Sequence, residues 1–136
     1  MEEQILNDSR YAKAGDVMTQ YVYFIDKDKT VAEAIHLMRE EKLSSLVVDP
    51  ETQSDSWGII TRKDIVNKIV GPGKDPHTVK VSEIMSGPLI TVSPDLPVSD
   101  CAKLLQSKGI RRVAVYDGKE IVGLLSNTDI FNVIKI

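Results

Sequence analysis

The feature that most constrains this chain is that it is written twice. Asp16-Val17-Met18-Thr19 returns 67 residues further on as Glu83-Ile84-Met85-Ser86. Self-similarity at a fixed spacing means that copies of one supersecondary unit share a core. The same spacing carries the apolar residues Val31, Ala34, Ile35 and Met38 onto Val98, Cys101, Ala102 and Leu105. Positions i, i+3, i+4 and i+7 line one side of a helix, so each copy is expected to hold one amphipathic helix there. Leu46-Val47-Val48 matches Val113-Ala114-Val115. Gly58-Ile59-Ile60-Thr61-x-x-Asp64 matches Gly123-Leu124-Leu125-Ser126-x-x-Asp129, now 65 residues apart because the first copy has a longer turn.

Each copy reads as a short strand, a helix, two strands joined by a turn, and a final helix. The first strand is expected near Tyr21 to Ile25, and near Leu89 to Val92 in the second copy. Thr30-x-x-Glu33 is a capping box that opens the first long helix, and Pro97 suits the first turn of its counterpart, where a missing N–H costs nothing. Gly109 ends that helix. Asp117-Gly118 between apolar runs marks a hairpin, and the polar loop Asp49 to Ser56 makes the looser equivalent. Thr61 and Ser126, each with an acid three residues on, are natural N-caps of the final helices. Gly71-Pro72-Gly73 stops the first of these helices, and the polar stretch that follows reads as a connection. The division is therefore an N-terminal extension (1–14), repeat one (15–71), a linker (72–80) and repeat two (81–136). One copy alone leaves an apolar face uncovered, so the two should pack as one pseudo-two-fold body.

Composition removes several function classes. The 136 residues are 42% apolar, enough for a real core, and mixed charges sum to −3 with a pI near 5.4. That balance argues against nucleic acid or an anionic membrane as the main partner. No apolar run reaches the roughly 18 residues of a membrane span, and the start, MEEQILNDSR, lacks a basic and apolar leader, so a cytoplasmic protein is expected. One cysteine, Cys101, and two histidines, His36 and His77, offer neither a disulfide framework nor a zinc cluster. With no nucleophile–base pair and no Walker-type glycine loop, no enzyme is expected.

The duplicated Asp-Val-Met-Thr or Glu-Ile-Met-Ser opening, the Val-x-x-Ala-type helix and the duplicated Gly-h-h-[ST]-x-x-Asp junction, where h is apolar, resemble the cystathionine-β-synthase (CBS) domain family. Its domains occur in tandem pairs called Bateman modules. The resemblance covers Gly15 to Ile136. It implies an α/β (α+β) fold of two pseudo-symmetric β-α-β-β-α repeats packed sheet to sheet with helices outside. It also implies an adenosyl ligand, AMP, ADP, ATP or S-adenosylmethionine, in a cleft between the copies, no required cofactor, and a homodimer that forms a flat four-domain disc.

The residues support that implication. A helix N-terminus presents unpaired N–H groups that suit phosphate, the hydroxyls of Thr61 and Ser126 add donors, and an acid one turn on can accept from a ribose diol. The same residues can equally be ordinary caps. Carried over from the family, one site combines Thr61 and Asp64 with Leu89, Ile90, Arg111 and Arg112. The other combines Ser126 and Asp129 with Val22, Tyr23, Ser44 and Ser45. Arg111-Arg112 can grip phosphate bidentately whereas Ser44-Ser45 is neutral, so the first site is expected to prefer phosphorylated nucleotides and the second a less charged ligand. Ala114 stands where the family often has proline. The leading reading is a regulatory nucleotide-sensing module acting on a protein the sequence does not name. The alternative is a constitutive dimerisation scaffold with degenerate sites. Met18, Met85, Cys101 and His36 read as packing or surface residues, His77 as part of the linker, and Trp57 as strand packing or a base-stacking ring. Ile5, Leu6 and Tyr11 are the substantial apolar side chains of the extension.

Overall fold

The computed structural model describes residues 12–50 and 56–136. The expectations for Ile5, Leu6 and Tyr11, and for the middle of the 49–56 loop, fall outside them. Along the chain the elements are α1 (Ala14–Val17), β1 (Phe24–Ile25), α2 (Val31–Glu40), β2 (Ser45–Val48), β3 (Gly58–Thr61) and α3 (Arg62–Ile65), which runs into a π-helical turn (Val66–Val70). There follow α4 (Val81–Ile84), β4 (Thr91–Val92), α5 (Val98–Lys108), β5 (Arg112–Tyr116), β6 (Ile121–Ser126) and α6 (Asn127–Asn132). None of these helices is long and apolar enough to cross a membrane.

The chain is mixed α/β and divides into two compact units. The first is Tyr23–Leu89; the second joins the described residues up to Val22 to Ile90–Ile136. Each unit is built on one three-stranded sheet, β1-β2-β3 or β4-β5-β6. The expected antiparallel pairs are present, with Leu46 opposite Ile60 and Val113 opposite Leu125, and in both units the first strand runs parallel to the second. The first core gathers Val31, Met38, Leu46, Ile60, Val81 and Ile84, and the second Ala14, Cys101, Leu105, Val113 and Leu125.

The local signals behave as their chemistry demands. The Thr30 hydroxyl accepts from the Glu33 N–H (3.2 Å) and the Glu33 carboxylate from the Thr30 N–H (2.9 Å). Gly109 closes α5 at φ 62°, a left-handed conformation that costs glycine least. In the hairpin the Asp117 carboxylate accepts from the N–H groups of Lys119 and Glu120, beside Gly118 at φ 100°. Pro97 stands one position earlier than expected, as the N-cap of α5, its carbonyl accepting from Asp100 and Cys101.

Two differences from the sequence reading share one cause. The chain passes between units at Val22–Tyr23 and at Leu89–Ile90. Residues before those points cannot extend the ladders, so β1 and β4 are two residues long rather than four or five. Of the earlier residues, Tyr23 and Ile90 still accept hydrogen bonds from Val47 and Ala114 (2.9 and 2.8 Å). Alanine at position 114 supplies the N–H that this bond requires and proline lacks. The opening helix of each sequence repeat thus packs into the unit built by the other: α4 adds Val81 and Ile84 to the first core, and α1 adds Ala14 to the second. The stretch 72–80 lies within the first unit, where the N–H groups of Val31 and Ala32 donate to the carbonyls of Val79 and Pro76 (both 2.9 Å).

Candidate ligand site: two hydroxyl and carboxylate nodes

The repeated motifs recur because they bind each other. In the opening tetrapeptide the acid caps its own short helix: Asp16 accepts from the Lys13 N–H (3.1 Å) and Glu83 from the Lys80 N–H (2.7 Å). The methionine lies over the junction glycine. A Cβ at Gly58 would stand 2.9 Å from Met85 Sδ, and one at Gly123 would run into Met18 Sδ and Cγ. The final residue pairs by its backbone with the strand beyond that glycine. Ser86 and Ile59 exchange two N–H···O bonds of 2.8 Å, and Thr19 and Leu124 exchange bonds of 2.8 and 3.0 Å.

The side chains complete two matching nodes. In the first, the Asp64 N–H donates to Thr61 Oγ1 (3.1 Å), while Asp64 Oδ2 accepts from the Thr61 N–H and hydroxyl (3.0 Å each). Asp64 Oδ1 accepts from the Ser86 hydroxyl at 2.9 Å and pairs with Lys68 Nζ at 3.2 Å. In the second, Asp129 Oδ2 accepts from the Ser126 N–H (2.8 Å) and hydroxyl (3.0 Å), and Asp129 Oδ1 from the Thr19 hydroxyl (2.9 Å). Both N-caps are therefore full capping boxes.

The nodes differ in how far their carboxylates are used. A carboxylate has about four acceptor positions. Among the described residues Asp64 has all four engaged and is 7% exposed, whereas Asp129 has three engaged and is half-buried. Burial alone raises the Asp64 pKa, but the hydrogen bonds from Ser86, Lys68 and Thr61 outweigh it and hold the carboxyl below its ordinary value. Lys68 is fixed from its other side by the Ile84 carbonyl (2.9 Å) at the end of α4, where a cation is favoured. Val133 holds the corresponding position in the second unit.

The other candidate residues divide as follows. Thr61, Asp64 and Leu89 lie in the first unit with Tyr23, Ser44 and Ser45; Ser126, Asp129 and Val22 lie in the second with Ile90, Arg111 and Arg112. Within each unit the entrance of the middle strand sits beside that unit's own N-cap. Ser45 is opposite Thr61 and the Ser44 carbonyl accepts from Arg62, while Arg112 is opposite Ser126 and the Arg111 carbonyl accepts from Asn127. Leu89 is buried and donates its N–H to the Trp57 carbonyl, and the Tyr23 hydroxyl donates to Glu41 (2.8 Å). Sequence reading did not single out Ser86, Thr19 or Lys68. The first two were within reach, since both close the repeated tetrapeptide and both carry hydroxyls.

Two cavities flank the first node. One of about 270 Å³ is lined by Trp57, Gly58, Met85 and Ser86. A groove of about 540 Å³, floored by Ile35, Met38, Ile65, Val66 and Val70 and rimmed by Arg39, Lys42 and Arg62, runs along α2 and the π-helical turn. Cys101 is fully buried; burial, with Asp100 adding, pushes its thiol up, the opposite of what a nucleophile needs.

Comparison with known proteins gives the same pattern. An uncharacterized protein of Methanopyrus kandleri is 36% identical over 125 residues, covering 91% of this chain and 63% of its own length. The CBS domain-containing protein YhcV of Bacillus subtilis is 30% identical over 115 residues, 85% of this chain and 80% of that protein. The solved structure of a hexameric CBS-CP12 protein from bloom-forming cyanobacteria superposes with a TM-score of 0.84 at 42% identity, over 89% of this chain and 67% of that one. The chain thus spans somewhat under two thirds of the Methanopyrus relative. The CBS domain family model matches residues 14–71 and again 81–136, and the chain belongs to that family as a tandem pair of CBS domains.

Proposed function

We propose that this chain is a regulatory ligand-sensing module that holds an adenosine nucleotide or a related adenosyl compound, AMP, ADP, ATP or S-adenosylmethionine, and performs no catalysis of its own. The observation that carries this reading is the duplicated node. Each node aims a carboxylate from the first turn of a helix, beside a hydroxyl and a strand end, an arrangement suited to a ribose diol. Arg111 and Arg112, beside Ser126, bring planar cations suited to phosphate. The module works in the cytoplasm as a homodimer that passes ligand occupancy to a protein partner. Its relative in the hexameric cyanobacterial structure supports self-association as part of that work.

A second reading, a constitutive scaffold with degenerate sites, is favoured by the full engagement of Asp64. Thermal shift against AMP, ADP, ATP, NAD and S-adenosylmethionine separates the two. A ligand at 100 times its dissociation constant adds about 2.7 kcal/mol of stability. A shift with one adenosyl compound that is lost in the Asp64→Ala, Asp129→Ala double variant is expected; no shift with any of them favours the scaffold.

A further inference from the structure

We infer that Lys68 masks the first node, so that the two nodes are unequal and the carboxylate that receives a ligand's diol first is Asp129. The inference rests on the adenosyl reading above and adds to it which node fills and what keeps the other closed; it reverses the order expected when Arg111 and Arg112 were assigned to the Asp64 site, because both arginines lie in the unit of Asp129, with Arg112 opposite Ser126. Asp64 Oδ1 is taken by the Ser86 hydroxyl and by Lys68 Nζ, and Oδ2 by the Thr61 N–H and hydroxyl. A diol hydroxyl can bond to Asp64 only by displacing one of these donors. Among the described residues Thr19 is the donor to Asp129 Oδ1, which leaves that oxygen one acceptor position, and Asp129 is more exposed than Asp64. It can take a hydroxyl with nothing displaced.

Lys68 is the donor that makes the difference, because every other contact has a counterpart. Thr61 answers to Ser126 and Ser86 to Thr19, but Lys68 answers to Val133, which has no charge to offer. Two contacts hold the lysine in place, Asp64 one helical turn before it and the Ile84 carbonyl, so the mask is anchored both to the helix that carries the acid and to α4. Its side chain is 45% exposed, so it can swing into water when a ligand competes. Displacement then costs one charge-assisted contact, partly offset by hydration, which weakens the first node about tenfold relative to the second.

The test is calorimetric titration of the full chain with AMP, with circular dichroism confirming the fold of each variant. Wild type is expected to bind one equivalent tightly and a second about tenfold more weakly. Lys68→Met keeps the aliphatic stem and removes the donor, and should bring the second equivalent close to the first. Asp129→Asn should remove the tight equivalent and Asp64→Asn should leave it. A tight equivalent that follows Asp64, two equal equivalents in wild type, or weaker AMP binding in Lys68→Met would overturn the mask while leaving the adenosyl reading standing. AMP binding to none of the four proteins would overturn both.

Discussion

The two units carry the same node on the same kind of sheet, yet one carboxylate is fully engaged and the other keeps an acceptor position. In the first, Asp64 sits 7% exposed under four donors, one of them a lysine that also holds the end of α4. In the second, Asp129 has three donors, and valine takes the lysine's place. Where the first unit's final helix widens into a π-helical turn up to Val70, the second ends at Asn132. Duplication thus kept the parts that close each unit, the methionine on glycine and the hydroxyl on acid. The residue one turn beyond the acid, which sets how available that acid is, diverged.

Denaturation should separate the two nodes, most of all through their acids. Asp64→Ala removes a buried acceptor that serves Thr61, Ser86 and Lys68, and should cost about 3 kcal/mol. Asp129→Ala loses the bond from the Ser126 N–H and the two from the Ser126 and Thr19 hydroxyls at a more exposed site, and should cost about half as much. Chemical denaturation checks both, and equal losses would mean that Lys68 contributes nothing. Next are the glycines. Gly123→Ala drives a Cβ into Met18 Sδ and Cγ and to 3.0 Å from the Thr19 carbonyl, whereas Gly58→Ala meets mainly the end of Met85. The former should cost about 2 kcal/mol and the latter about 1, read as a drop in Tm, with Met18→Ala partly rescuing Gly123→Ala.

Acid sharpens the contrast further. Because the Asp64 pKa is lower folded than unfolded, its stabilisation is fully present above the unfolded value of about 4 and is lost as pH falls through the folded value. The stability gap between wild type and Asp64→Asn should therefore be constant near neutrality and shrink steadily below about pH 4; a gap that persists at pH 2 would contradict the hydrogen-bond origin of the shift. The smallest effect is that of Lys68→Met, at most about 1 kcal/mol in denaturation, since the lysine is half exposed.

Much of this was legible beforehand for a physical reason: caps, hairpins and amphipathic faces are local. Thr30-x-x-Glu33, Gly109 and Asp117-Gly118 each act through atoms within a few residues, and each does what its residue type dictates. The exchange of opening segments was not legible in any local pattern, though the family resemblance already set Leu89 with Thr61 and Val22 with Ser126: Met85 fits against Gly58 by the same chemistry with which Met18 fits against Gly123, and no local pattern states which methionine meets which glycine. The short first strands follow from that exchange. Lys68 reads in the sequence as an ordinary i, i+4 partner of Asp64, and its second anchor is a backbone carbonyl, which carries no sequence signal. The π-helical turn has none either.

If the two nodes receive an adenosyl ligand in a fixed order, backbone amide NMR of the 15N-labelled chain titrated with AMP shows it at the residues concerned. The predicted result is that the amides of Thr19, Ser126 and Asp129 shift during the first equivalent and those of Thr61, Asp64 and Ser86 only at higher AMP. Shifts at both nodes together, shifts in the reverse order, or saturating AMP that moves the amides of neither node would contradict it.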